Sequence, residues 1–341
     1  MTRPQVGKGS ERVPVTILTG FLGAGKTTLL NRILTADHGL RAAVIVNDFG
    51  AVNIDAQLVV DVEGEKIALA NGCVCCTIQG DLVAATKAVL DVPDPPEYVL
   101  VEASGVSDPS VIAQTFLASE LQATTRVDGI VVVVDTEQLP DLTRDDLTLA
   151  VAQIEAADIV VLNKADLVSP QELELARARI ASVVPGVRTL PAIRAQVPPE
   201  LILGVGRLEV AIGDVATGEG DRTDHTSAYK SWHWGSDEPL SLAGVREFVD
   251  RLPPDVYRAK GLLQLCEYPQ YVVELQVVGR RSSLDALGFW GDASPRSDII
   301  VIGAGDIDCE AMGMSIETCT APRAQAAAFI DWRSLPRRTA S

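Results

Sequence analysis

The segment "NGCVCC" sets Cys73, Cys75 and Cys76 within four positions of a chain that has six cysteines in all. Thiols one residue apart on an extended segment can aim both sulfurs to one side, and the third can join them if the chain turns. Three thiolates suit a soft or borderline ion, with Zn²⁺ as the default and Co²⁺ or Fe also compatible. They leave a fourth position open, as a site that hands on its ion requires. The same residues could instead cycle through a Cys73–Cys75 disulfide, a Cys75–Cys76 bond being strained. They could also be small buried side chains. Spacing alone leaves these three uses open.

A second chemistry is written in "GFLGAGKTT". Gly20 to Thr27 fit G-x-x-x-x-G-K-[ST], directly after the strand-like "VTIL" and at the start of a helical stretch. Small residues at Gly20, Gly23, Ala24 and Gly25 let successive N–H groups point into one concavity. There the helix N-terminus adds partial positive charge for phosphate oxygens. Lys26 supplies a cation to the β- and γ-phosphates, Thr27 a hydroxyl to Mg²⁺, and Thr28 completes the segment. Glycines at "GKGS", "GVGR" (Gly204) and "GAGD" (Gly303) lack this context and read as turns.

The base follows from "VVLNKADL". A carboxylate at Asp166 can accept from N1–H and the exocyclic amine of guanine, whereas adenine presents an acceptor there. Asn163, Lys164 and Asp166 therefore favour GTP and GDP over ATP, while Ser169 separately caps the helix that follows. In "YVLVEASGVSDP", Glu102 ends a strand and Gly105 lies in the turn beyond, where P-loop proteins sense the γ-phosphate. Most small GTPases carry aspartate at the first place. Glu102 could act on the Mg²⁺ shell or on the attacking water. Asp48, in "VNDFGAVNID", is a further carboxylate for Mg²⁺ in the expected switch loop.

Chemistry of this kind needs a scaffold, and the first half of the chain offers one. Nearly continuous apolar runs ("VPVTILTG", "RAAVIVND", "EYVLVEASG", "GIVVVVDT", "ADIVVLNKAD") alternate with helical stretches, as in an α/β, doubly wound, mostly parallel sheet of the P-loop NTPase type. Residues 12–212 form the expected nucleotide domain. The glycine- and aspartate-rich stretch 213–227 reads as a linker, and residues 228–335 as a smaller α+β domain. That second part carries strand-like "AYKSWHW", "YVVELQVVG" and "DIIVIGAG" and helical "LAGVREFVDRL" and "CEAMGMSIETC". Cys266, Cys309 and Cys319 read as core residues there, as do Trp232 and Trp234.

Across its 341 residues the chain carries 29 Lys and Arg against 46 Asp and Glu, a formal charge of −17. That argues against nucleic acid or anionic lipid as a partner. No apolar run is long enough to span a bilayer and the first residues lack a signal-peptide core, so the expected location is the cytoplasm. Cysteines this sparse favour metal or redox chemistry over a disulfide scaffold.

The set "GFLGAGKTTLL", "VNDFG", "NGCVCC", "EASGVSDP" and "NKAD", in this order, resembles the CobW-like family of metallochaperone GTPases, relatives of the urease and hydrogenase nickel-insertion GTPases. "YRAKGLLQL" and "SDIIVIGAGDID" resemble its C-terminal domain. The resemblance implies GTP-dependent delivery of a transition metal, bound at Cys73, Cys75 and Cys76, to a client metalloprotein or metal chelatase. It is compatible with a monomer or a weak nucleotide-dependent dimer. The chain departs from the family's V-N-E-F-G-E, with Asp48 for the first glutamate and Ala51 for the second, so a metal site using that second carboxylate is not available. Histidine-rich stretches common among relatives are also absent. The three histidines are His38, His225 and His233; the latter two are candidate ligands that read equally as surface or packing residues. Two rival functions stand beside this one: a GTP-timed activator or folding chaperone with redox-responsive cysteines, and a small-molecule P-loop kinase or ATPase.

Overall fold

A computed structural model describes residues 12–36, 38–47, 66–68, 76–203, 229–304 and 307–320. They form two compact units, the first chiefly of residues 12–203 and the second chiefly of residues 229–277 and 282–320.

The first unit is built on seven strands: β1 (Val13–Gly20), β2 (Ala42–Asn47), β3 (Lys66–Ala68), β4 (Tyr98–Ala103), β5 (Thr125–Asp135), β6 (Ile159–Asn163) and β7 (Arg188–Pro191). They lie in the order β3-β2-β4-β1-β5-β6-β7. Every adjacent pair is parallel. All six residues of β4 and all five of β6 are buried, as strands covered on both faces must be. The helices are α1 (Lys26–Thr35), α2 (Cys76–Leu90), α3 (Pro109–Ala118), α4 (Arg144–Glu155), α5 (Pro170–Val183) and the short α6 (Pro199–Leu203). On one face, Ile17, Ile45, Val101, Val132 and Leu162 of the strands pack with Leu82, Phe116, Ile154 and Ile180 of α2 to α5. The α1 residues Leu29, Leu30 and Ile33 are fully buried as well.

β5 begins four residues before the apolar run "GIVVVVDT" indicates. Its polar start is tolerated because Asp128 accepts from the Tyr98 hydroxyl (2.6 Å) and Arg126 (3.2 Å), while Tyr98 also meets Thr16 (2.7 Å). Buried polar groups with partners cost little.

A parallel sheet delivers all its outgoing loops to one edge. Here that edge carries the segments after Gly20, Asn47, Ala68, Ala103, Asp135 and Asn163, and β1 sits between β4 and β5 at the reversal of strand order, where such folds bind ligands.

The second unit is a five-stranded sheet of β8 (Tyr229–Ser236), β9 (Val256–Gln264), β10 (Tyr271–Val278), β11 (Arg281–Phe289) and β12 (Ser297–Ala304), in the order β11-β10-β9-β12-β8. β12 runs antiparallel to both neighbours. Helices α7 (Leu242–Asp250) and α8 (Cys309–Glu317) place Val245, Phe248, Met312 and Ile316 on its core.

Several sequence expectations are corrected in this unit. Gly303 is not in a turn but inside β12, at a register shift, where a Cβ would lie 2.4 Å from the Asp255 carbonyl oxygen. Trp232 and Trp234 are half-buried and flank the core rather than fill it. Cys309 is exposed, Cys266 half-buried and Cys319 buried, so one of the three is a core residue. Among the described residues no helix is long and apolar enough to cross a membrane.

Candidate functional site

β1 ends in a glycine that nothing else can replace. Gly20 has φ 137°, and a Cβ there would fall 2.1 Å from the Val133 carbonyl oxygen of β5. Five residues later Gly25 caps α1 at φ 105°, where a Cβ would meet Asn163 Nδ2 at 2.4 Å. Gly23 also has positive φ (75°) but faces open space, so its constraint is conformational alone. No side chain caps α1 and no acidic residue lies in its first turn. The first N–H groups are thus left for an anionic ligand. Lys26 is buried and donates from Nζ to the Phe21 carbonyl (3.2 Å), spanning the loop. Ala24 is buried beneath it and Thr28 is exposed.

Thr27 and Glu102, distant in sequence, meet here. Thr27 Oγ1 donates to Glu102 Oε1 at 2.8 Å, and Glu102 is buried on β4, opposite Leu18 of β1. A hydroxyl and a carboxylate in contact form a donor set of hard oxygens that fits Mg²⁺. Past Glu102 the chain turns through Ser104–Ser107, closed by a bond from Ser107 N to Ser104 O (3.0 Å). Gly105 in this turn lies against the phosphate loop: a Cβ would come within 2.9 Å of the Leu22 nitrogen.

The base-reading segment is tied to the same loop. Asn163 is buried, donates from Nδ2 to the Ala24 carbonyl (2.8 Å), and accepts at Oδ1 from Ala195 N (2.7 Å). Lys164 takes the left-handed conformation (φ 60°), and its Nζ reaches Asp135 Oδ2 at 2.5 Å. Thr136 donates to the Asn163 carbonyl through both N (3.0 Å) and Oγ1 (2.7 Å). Asn163 and Lys164 are therefore occupied in holding three loops together, whereas Asp166 is exposed in a single 3₁₀ turn, Ala165–Leu167. Ser169 caps α5 in a reciprocal box with Glu172, whose carboxyl is held below its usual range by the Ser169 N–H and hydroxyl bonds. A capping role for Asp166 is thus unnecessary.

Sequence reasoning missed Asp135, Thr136 and the loop at Ala195. Arg194 and Ala195 both have positive φ (49° and 55°), and Arg32 Nε donates to the Arg194 carbonyl (2.7 Å). Two consecutive non-glycine residues in this region cost roughly 1–3 kcal/mol each and persist where surroundings over-determine them. The signal available in the sequence was Asp135 itself, a charge closing a run of four valines.

The other candidate metal ligands fare differently. Cys73, Cys75, Asp48 and His225 lie outside the described residues, as does the side chain of Cys76, the first residue of α2. His233 lies on β8 with Nε2 3.2 Å from Asp298 Oδ1, and that carboxylate also accepts from Arg296 at 2.7 and 3.0 Å. Among the described residues no three His, Cys, Asp or Glu side chains come together as a metal site. Burial and the neighbouring Glu267 push the Cys266 thiol up to about 11, and burial also raises Cys319. Both stay protonated near neutrality and are poor thiolate ligands.

Residues 14–191 match the CobW/HypB/UreG nucleotide-binding domain, and residues 229–320 the cobalamin synthesis protein CobW C-terminal domain. The chain is 30% identical to the zinc chaperone CobW of Pseudomonas aeruginosa, over 91% of this chain and 92% of that one. It is 31% identical to the zinc chaperone YjiA of Escherichia coli, over 85% and 94%. It is also 31% identical to the zinc-regulated GTPase metalloprotein activator 1 of Dictyostelium discoideum, over 83% and 69%.

Proposed function

Because the chain belongs to the CobW/HypB/UreG family and is a GTPase, we propose that it carries Zn²⁺ on Cys73, Cys75 and Cys76 and hands it to a client metalloprotein, with GTP hydrolysis switching its grip. The observation that carries this reading is topological. The described strand end that precedes the cysteine segment in sequence, the carboxyl end of β3 at Ala68, lies on the edge of the sheet that also holds the phosphate loop and Glu102, and α2 begins at Cys76. β3 stands two strands from β4, about 10 Å at the usual strand spacing. The segment that begins with Asp48 leaves β2 beside Ala103, the residue after Glu102. The carboxyl ends of β2 and β3 thus open on the same edge as Glu102 and Gly105.

In the nucleotide site, Lys26 and the uncapped N–H groups of α1 receive the β- and γ-phosphates, and Gly20 and Gly25 let the loop pass close to Val133 of β5 and to Asn163. The Thr27–Glu102 contact favours the Mg²⁺ role for Glu102 over that of a base acting on water. When bound, Mg²⁺ would supply charge neutralisation on the phosphates, with Thr27 and Glu102 as its protein ligands. Asp166 reads the guanine edge, positioned by the Asn163, Lys164 and Asp135 bonds. Zinc is cargo in this scheme, and the open fourth position is where a client ligand enters. The client is a metalloprotein or a metal chelatase, met in the cytoplasm.

The test is Cys75→Ser on fully reduced protein. Removing one of three thiolate ligands is expected to weaken zinc binding by more than the ~10–100-fold that loss of an outer-shell partner costs, with the GTP affinity of the zinc-free protein unchanged. Unaltered zinc binding in that variant would sink the metal role of the motif and favour the redox-responsive activator.

A further inference from the structure

Gln153, on α4, is a large polar side chain with 1% of its surface exposed, and the nucleotide chemistry described above does not use it. Its amide nitrogen donates twice, to the Gly105 carbonyl at 3.1 Å and to the Ser107 carbonyl at 3.2 Å. Both acceptors are carbonyl oxygens, so the nitrogen end of the amide must face them and the side-chain orientation is fixed. The two bonds straddle the turn that follows Glu102, at the place where the chain passes from β4 to α3.

That turn is held from two directions. On one side Gly105 lies so close to Leu22 of the phosphate loop that a Cβ would come within 2.8 Å of the Leu22 side chain. On the other, Gln153 fixes the two carbonyls. The turn's own bond from Ser107 N to Ser104 O (3.0 Å) closes it locally but does nothing to set where it sits over the sheet. Its solvent side is Val106, half exposed and contributing no anchor. Among the described residues, Gln153 holds the turn from a helix with two directional bonds. α4 begins at a Thr143 cap downstream of Asp135, the residue that pairs with Lys164 in the base-reading loop.

We propose that Gln153 is a positioning residue for GTP hydrolysis: it fixes the Gly105–Ser107 turn at the height from which the Gly105 N–H and the adjoining Glu102 meet the γ-phosphate and its cation. Gln153 touches no nucleotide. Its effect runs through the turn, and it therefore separates states that carry a γ-phosphate from those that do not. GDP makes no use of the turn; GTP and the transition state do. Removing the donor leaves the buried Gly105 carbonyl and the half-buried Ser107 carbonyl without that partner and frees the turn to rotate, which lowers the rate and weakens the preference for a γ-phosphate.

Gln153→Leu and Gln153→Met keep much of the volume and delete the donor. Both are expected to lower kcat about tenfold and to lower the ratio of GTPγS affinity to GDP affinity by a similar factor, with GDP affinity close to that of the parent chain and the melting temperature lowered by a few degrees for the lost bonds to the two carbonyls. A residue that only fills the core would instead move stability and all nucleotide affinities together, and that result would overturn the assignment. So would two folded variants with unchanged kcat and an unchanged affinity ratio. The inference rests on the turn being the γ-phosphate sensor, and Gly105→Ala separates the two levels. An active Gly105→Ala would defeat the placement of the sensor and the assignment with it. A slow Gly105→Ala beside fully active Gln153 variants would defeat the role given to Gln153 alone.

Discussion

Lys26→Met is expected to reduce kcat for GTP hydrolysis by about 100- to 1,000-fold, the loss typical of removing one preorganised group that meets developing charge. The ammonium is buried in the phosphate loop and already spans it through the Phe21 carbonyl. It is held where the β- and γ-phosphates would lie and needs no reorganisation to meet them. Methionine keeps the aliphatic stem and its packing against the loop, so the melting temperature should stay near that of the parent chain. Single-turnover hydrolysis at saturating GTP is the appropriate measurement, because it isolates chemistry from product release. A variant with near-normal rate would mean that phosphate charge is met elsewhere.

The second large effect concerns the base. Asp166→Asn should weaken GTP binding by about 100- to 10,000-fold, the loss of two charge-assisted hydrogen bonds worth roughly 1.5–3 kcal/mol each. Xanthosine triphosphate should become the better ligand, since xanthine has a carbonyl where guanine has its exocyclic amine and the asparagine amide can donate to it. The asymmetry within the motif is structural. Asn163 is committed to Ala24 and Ala195, and Lys164 to Asp135, which leaves the exposed Asp166 carboxylate to face a base. Competition of GTP, ATP and xanthosine triphosphate against a labelled GDP analogue reads this directly. Unchanged selectivity would move base recognition away from Asp166 and reopen the kinase or ATPase reading.

The parts of the molecule legible in the sequence share a physical property: their residue types are forced locally. Gly20 and Gly25 must be glycine because φ and neighbouring atoms both exclude a Cβ. β4 and β6 read as continuous apolar runs because every residue in them is buried. Ser169 and Glu172 cap α5 through contacts three residues apart.

What escaped depends on partners far away in the chain. β9 is interrupted by Arg258 and Lys260 and carried no strand signal of its own. Yet Lys260 pairs with Glu274 of β10 (3.1 Å), and Gln276 donates to the same carboxylate (2.7 Å), which makes a polar sheet face stable. Gly303 looked like a turn because a bulge and a turn use the same residue type. Asp135 and Gln153 are single polar residues in apolar surroundings, and their purpose appears only once Lys164 and the Gly105 turn are placed beside them. The Thr27–Glu102 pair is intermediate: both residues stood out by motif, but their contact at 2.8 Å is what favours Glu102 as a magnesium ligand.

The central claim is that the γ-phosphate controls the hold on zinc. It is tested most directly by measuring the zinc retained by fully reduced protein, by elemental analysis after exchange against a weak chelator, with a non-hydrolysable GTP analogue or with GDP bound. Close to one zinc per chain is expected in the GTP-analogue state and markedly less in the GDP state, with Cys75→Ser abolishing the difference. Equal zinc content in the two nucleotide states of the parent chain would contradict it.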